Sequence, residues 1–572
     1  MNTSGTFVLS NRIKLISMVL FSLILNINTL FHDYALDDIV VLTENKFVKE
    51  GIQGIPKILN TDYIAGYSSE ANILAGARYR PFSLISFALE YQFFGANPMI
   101  SHAINIILFT LLILILYRFL HYHVFPGRDD SLAYFTIILF IAHPVHTEVI
   151  ANVKSRDEIL VFLFSVSTFI LCFKYLDTKK VTFLILSLIS YFFALLTKET
   201  AVTFILTLPL AIYFFNKSSI SGSLRFTIPY LLIFAGYLLL RYVVVGFSEY
   251  PVNDVTNSPY LYASTMEAFA TKVFVLVKYI SLCILPIHLS TEYGYNQIPY
   301  VEISSIKFIF SAICICILLL YAFINIKRRS LVSFSILFFF ATLSVGTNFL
   351  FDLGAPMAER ILFQPSLAFC LLFVLLILKF KDFSRATATS IFLLAIILFS
   401  AKTIARNREW KNNETLFLSD VKTSPNSARI NLYACEQYII KANKTDDPNL
   451  RNEYLDIAEG YAKRSLEIHN KFAYTYLRLG LVYFHKGNYT RAADEWMTAH
   501  KLEPKNPETI KWTSYLSDVL AGEASTNMYK GNIQEAINQY KKSIYLNPNN
   551  ERAVLNLQKI LEDKKDSVNN RN

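Results

Sequence analysis

The side chains with chemistry to offer fall in five short stretches. FHDYALDDIV carries His32, Asp33, Asp37 and Asp38. Adjacent carboxylates such as Asp37 and Asp38 can take a proton from a hydroxyl or hold a divalent cation. The alternative is a solvated acidic turn. The same loop runs through Asp62 and Tyr63 to Arg78-Tyr79-Arg80-Pro81. Two arginines entering an apolar segment suit a phosphate, or else snorkel to a membrane interface. In HPVHTEVIANVKSRDE, the spacing of His143, His146 and Glu148 resembles a metal-ligand set, but Pro144 interrupts the helical face a zinc site needs. A polar pocket wall is the other reading, continued by Lys154, Arg156, Asp157 and Glu158. LLTKETAV offers Lys198 and Glu199, and Glu359-Arg360 follows the DLGAPM turn. Charges beside apolar runs are costly unless they pair or serve a site.

These stretches need elements to hold them, and the composition says what kind. Of 572 residues, 53% are hydrophobic, 15% aromatic and 17% charged, with a mean hydropathy of +0.37. Soluble domains carry about 25% charged residues. The 167 residues from Arg406 onward hold 46 charges and the 405 before them hold 52, so the chain combines two materials. A bilayer core needs roughly 20 apolar residues per helix. Eleven runs meet or approach that: Arg12–Phe31, Pro98–Leu120, Leu132–Val149, Ile159–Leu176, Val181–Leu196, Ala201–Phe215, Phe226–Gly246, Ile303–Ile326, Leu331–Phe351, Ile361–Phe380 and Ala386–Ala405. The expected fold is all-α: a polytopic helical membrane domain over 1–405, with its first outer loop over 32–97, and a soluble domain over 406–572.

Pro81–Phe94 is short for a span. Val273–Leu289 could span, but Lys179/Lys180, Lys217–Arg225, Lys327–Arg329 and Lys379–Arg385 fall on one cytoplasmic side only if it does not. It is therefore expected to be re-entrant or interfacial. The first apolar run lacks a small-residue cleavage motif and reads as a retained anchor. On this topology all five polar stretches lie on the outer face, as does the C-terminal domain. The net charge of +10 is then an orientation signal, with no nucleic acid implied, and the six cysteines form no CxxC pair.

The soluble part repeats. Over Ala473–Asn506, the residues Tyr476, Leu479, Gly480, Tyr483, Gly487, Tyr489, Ala492, Trp496, Ala499, Leu502 and Pro504 occupy the positions of a 34-residue tetratricopeptide repeat. Gly531, Ala536, Tyr540, Leu546 and Pro548 mark a second copy, preceded by about ten extra residues. Ala458 and Ala462 mark a weaker earlier one. Such arrays bind extended peptides or other proteins.

HDYALDD, YRP, HAIN (His102 to Asn105), HPVHTEVIANVKSRDE, TKET and AER, ending in these repeats, together resemble the transmembrane and tetratricopeptide-repeat O-mannosyltransferase family of the GT-C glycosyltransferase superfamily. The resemblance covers nearly the whole chain in order. It implies a glycosyltransferase that moves mannose or a similar hexose from a polyprenyl-phosphate carrier to a Ser or Thr hydroxyl of a protein, on the extracytoplasmic face. Asp37 or Asp38 would be the base. Donor phosphate and sugar would be bound among Arg78, Arg80, His143, His146, Glu148, Arg156, Lys198, Glu199, Glu359 and Arg360. The repeats would present the acceptor polypeptide. A divalent cation stays open as a cofactor, since members of the class differ. Short Asn and Lys tracts point to a bacterial chain, with the repeats in the periplasm and undecaprenyl phosphate as carrier. A non-catalytic membrane-anchored repeat scaffold and a surface-polysaccharide polymerase or ligase are the alternatives.

Overall fold

A computed structural model describes residues 10–67, 78–126, 131–246, 254–350, 353–381 and 384–569. Residues 68–77 of the first loop, Phe351 of the ninth apolar run and Asp352 of the DLGAPM turn lie outside them. The described residues are helical, with no strand among them. The chain divides into two compact units, Met1–Gly294 with Ile298–Thr423, and Tyr295–Gln297 with Ser424–Asn572.

In the first unit each of the eleven apolar runs is helical over most of its described residues. Among the described residues six helices are long and apolar enough to cross a bilayer: Asn11–Phe31, Pro98–Val124, Val153–Thr178, Ile220–Val245, Ile306–Ile324 and Arg385–Glu409. Ser131–Ala142 and Pro144–Ala151 form a pair bent by 58°. The bend has a local cause, because Pro144 cannot donate to the preceding turn and its ring clashes with it. Val181–Thr197, Glu199–Phe215, Leu331–Thr347 and Pro365–Lys379 are shorter. Phe, Leu and Ile from these helices fill one continuous core.

Of the Val273–Leu289 run, the part up to Ile284 lies in a single uninterrupted helix, Thr265–Ile284, and residues 285–289 continue without helix. The start of the helix is fixed by a reciprocal cap in which Ser264 and Glu267 satisfy each other's backbone N–H groups. Pro81–Phe94 is a helix of 14 residues, entered through Arg80 with the proline at its first turn.

The apolar helices end in short 3₁₀ turns: Pro144–His146, Val153–Ser155, Glu199–Thr203, Ser344–Thr347 and Glu359–Leu362. Polar residues concentrate here for a reason. A backbone that leaves the helix ladder within an apolar unit needs other partners for its N–H and C=O groups. The last helix continues past 405 to Glu409, and its unit runs on to Thr423. Arg406 is the anchor: it is fully buried against Asp420 at 2.6 Å and against Glu409.

The second unit is built of helix pairs, Ala428–Lys444 with Pro448–Ile468, Ala473–His485 with Tyr489–Leu502, and Pro507–Tyr529 with Ile533–Leu546, closed by Glu551–Asn569. Ala458 and Ala462 are fully buried in the first pair. In the second pair Gly480 lies under Trp496, whose indole N–H donates to the Leu477 carbonyl at 2.8 Å. A Cβ on Gly480 would stand 2.3 Å from that nitrogen, so only glycine permits the approach. The extra residues ahead of the third pair are absorbed as helix: its first helix has 23 residues where its neighbour's has 13.

Candidate functional site

Four of these 3₁₀ turns, all but Pro144–His146, contribute to the lining of a cavity of about 410 Å³. Arg78, Arg80, Lys154, Lys198, Arg241 and Arg360 face it, against two carboxylates, Glu158 and Glu199. Much of the remaining lining is apolar or aromatic, with Phe234, Tyr237 and Leu238 from helix Ile220–Val245, which also carries Arg241, and with Val345, Leu350 and Leu353. Gly346 lets two of the turns meet, since a Cβ there would stand 2.1 Å from Ile361.

Carboxylates in the lining and behind it hold most of these cations in place. Arg80 donates to Asp157 at 2.9 Å and to Glu199 at 2.8 Å, and its guanidinium lies over the Tyr63 ring. Lys198 reaches Asp157 at 2.9 Å and Glu158 at 2.8 Å. Arg360 is clamped by Glu148, which accepts from its side chain at 2.5 Å and from its backbone N–H at 2.8 Å. Bidentate capture of this kind fixes orientation as well as charge. The Arg78 guanidinium has no ion pair among the described residues; its backbone N–H donates to Asp62 at 2.6 Å.

The acidic pair divides into two unlike groups. Asp38 is fully buried. It accepts backbone N–H bonds from Ala35 at 3.0 Å and from Lys154 at 2.7 Å, which pins the first loop to the Val153–Ser155 turn. Burial pushes its carboxyl up to about 7, with neighbouring Asp37 adding to the rise against the pull of those N–H bonds. The Asp37 side chain is 51% exposed and lies 3.5 Å from the Lys154 ammonium, a lining group of the cavity. Its enclosed position alone would raise its pKa, but Lys154, then Arg360 and Arg78, more than compensate and hold it below the ordinary carboxylate range. One carboxylate is an internal tie. The other is ionised and reachable.

Several sequence candidates sit elsewhere. Arg156 turns away from the cavity to Glu90 at 2.6 Å and Asn105 at 2.8 Å, over the Phe87 ring. His143 contacts the Cys283 carbonyl at 2.9 Å, and His146 contacts Ser366 at 2.7 Å within a cluster of Phe109, Phe140 and Phe363. With Glu148 committed to Arg360, these three do not gather round a common point. Among the described residues no group of three His, Cys, Asp or Glu side chains is arranged to hold a metal ion. Glu359 is buried behind Arg360, accepting from Ser290 N–H at 2.5 Å and Tyr293 O–H at 2.6 Å. Burial pushes it up to about 8, against the pull of Arg406. The sequence reading omitted Arg241 and Tyr237. Arg241 is the only charge in the Phe226–Gly246 run, and a lone cation in an apolar segment was the available signal.

Fold and site together define a multi-pass helical membrane protein that carries a tetratricopeptide-repeat solenoid. The tetratricopeptide-repeat family profile matches residues 518–550. Over 431 residues the chain is 28% identical to protein O-mannosyl-transferase F38B6.6 of Caenorhabditis elegans, covering 73% of this chain and 59% of that one. Human protein O-mannosyl-transferase TMTC1 is 28% identical over 451 residues, covering 70% and 50%, and human TMTC3 is 23% identical over 583 residues, covering 93% and 60%. The chain is thus a homologue of proteins named as O-mannosyl-transferases, in line with the motif resemblance. It spans about half to three-fifths of the length of these curated relatives. A thermophilic TPR protein of Thermus thermophilus aligns with 32% of this chain and 95% of its own, at 19% identity and a TM-score of 0.19.

Proposed function

We propose that this protein is a membrane glycosyltransferase that moves mannose or a similar hexose from a polyprenyl-phosphate carrier to a Ser or Thr hydroxyl of a protein. The reaction runs on the extracytoplasmic face of a membrane crossed by eleven helices, and the repeats hold the acceptor polypeptide. In a bacterium this is the inner membrane, with the repeats in the periplasm. The observation that carries the proposal is the pairing of a cation-lined, half-apolar cavity with one ionised, accessible carboxylate at its edge.

Each part of the site has a task. Asp37 takes the proton of the acceptor hydroxyl as its oxygen attacks the anomeric carbon. The bond from that carbon to the phosphate oxygen breaks, and the electron pair leaves with the lipid phosphate. Arg78, Arg80, Lys198 and Arg360 stabilise the charge that accumulates there. Glu148 fixes Arg360 and Asp157 fixes Arg80 and Lys198 in place beforehand, so little reorganisation of these three is needed during the reaction. The apolar lining of Phe234, Leu238, Leu350 and Leu353 suits the first units of a hydrocarbon carrier. Asp38 holds Asp37 and Lys154 in register.

The test uses membranes containing the full chain or its Asp37→Asn or Asp38→Asn variant, supplied with labelled polyprenyl-phosphate mannose. Label should appear on protein with the wild type and fall by a factor on the order of 10² or more in Asp37→Asn, the usual contribution of a general base. Asp38→Asn should keep part of the activity, because an amide oxygen still accepts one backbone N–H. Undiminished transfer by Asp37→Asn would remove the assigned base. Wild-type chain inactive with every carrier-linked sugar would favour the scaffold, and label on a protease-resistant glycan would favour the polysaccharide enzyme.

A further inference from the structure

Away from the cavity, Lys278 of helix Thr265–Ile284 and Lys307 of helix Ile306–Ile324 both place their ammonium groups over the ring of Phe274, at 5.5 and 6.0 Å from its centroid. Both residues are exposed, and among the described residues neither ammonium has a carboxylate partner. The arrangement is unfavourable twice over. Like charges are held against one aromatic ring, and Lys307 lies in the first turn of its helix, where the aligned peptide dipoles disfavour a cation. One ring quadrupole offsets only part of that. Next to Lys307 on the same helix, Ile306, Ile309, Phe310, Ile313 and Ile317 are exposed at 42–76% and recur at helical spacing along one face. A stripe of that kind on a helix long and apolar enough to cross a bilayer faces acyl chains.

We infer that Lys278 and Lys307 form a binding site for the phosphate of an anionic phospholipid, whose acyl chains lie along the Ile306–Ile317 stripe. The phosphate supplies the negative charge the lysine pair lacks, and the stripe supplies contact for the tails. Lys side chains suit this role, since they offer a compact charge on a flexible stem that can reach a headgroup. The inference does not depend on the catalytic reading of the cavity.

Photo-activatable diazirine analogues of phosphatidylglycerol and phosphatidylcholine, mixed in equal amounts with the full-length protein in nanodiscs, test it by mapping adducts on Ile306–Ile317. Wild type should give roughly tenfold more phosphatidylglycerol than phosphatidylcholine adducts there, as two lysines at a membrane surface would impose. K278A/K307A should bring the two lipids to parity on this stripe without changing adducts near Lys327–Arg329, and K278R/K307R should keep the preference. Should the alanine variant fail to fold, K278Q/K307Q replaces it. Parity in the wild type, or an undiminished preference in the neutral variant, would overturn the site.

Discussion

At the scale of residues, carboxylates of similar appearance in the sequence do unlike things. Asp37 and Asp38 are adjacent, yet one side chain is half exposed and the other fully buried under two backbone N–H groups. No spacing rule separates them, because the difference lies in which loop folds over which residue. Glu359 carries a testable consequence. Its folded-state value of about 8 lies above the ordinary 4.5, so the folded protein binds a proton that the unfolded chain releases between those values. Stability therefore falls as pH rises from about 4.5 to about 8. Glu359→Gln keeps an acceptor for Ser290 and Tyr293 and should flatten that slope, read as thermal unfolding of the detergent-solubilised protein across this range. Arg360→Ala should be far more damaging. It strands Glu148, whose side chain is 1% exposed, at about 3–5 kcal/mol for a broken buried pair. Replacing Glu148 with Gln in the same chain should restore part of the lost melting temperature without restoring transfer.

At the scale of elements, the apolar runs were legible because a segment that meets lipid has to satisfy its backbone internally, which makes length and composition decisive. The repeats were legible because small residues recur where helices touch. Gly480→Ala should therefore lower stability by about 1–3 kcal/mol, the usual range for overpacking. Hydrogen exchange in the full chain should show lost protection concentrated in residues 473–502, and an unchanged profile would mean that Trp496 relaxes at no cost. Less legible were the turns. That Arg156 leaves the cavity for Glu90 while Asp157, its neighbour, binds two cavity cations depends on how the backbone turns at Val153–Ser155. Arg241 was concealed in a different way, because its helix read as a span and nothing in the run showed which face would turn inward.

At the scale of the whole molecule, two units share one chain, and their charge follows their surroundings. In the first, the sparse polar residues collect where helices break. In the second, charge covers a water-facing solenoid. The cavity's surplus of cations also bears on time. Under the proposed reaction the donor is a phosphodiester with one negative charge, whereas the departing carrier is a monoester with about 1.5–2 at neutral pH. Groups arranged to stabilise the second state hold it more tightly than the first. Turnover should then be governed by departure of the spent carrier, so that rapid mixing shows a first round of transfer faster than those that follow. Arg78→Ala should shrink that burst relative to the steady rate. Under that reaction, a lining this rich in positive charge would do more than speed one bond cleavage: it would make the protein a reservoir of its own by-product, and couple its pace to whatever process takes the empty lipid away.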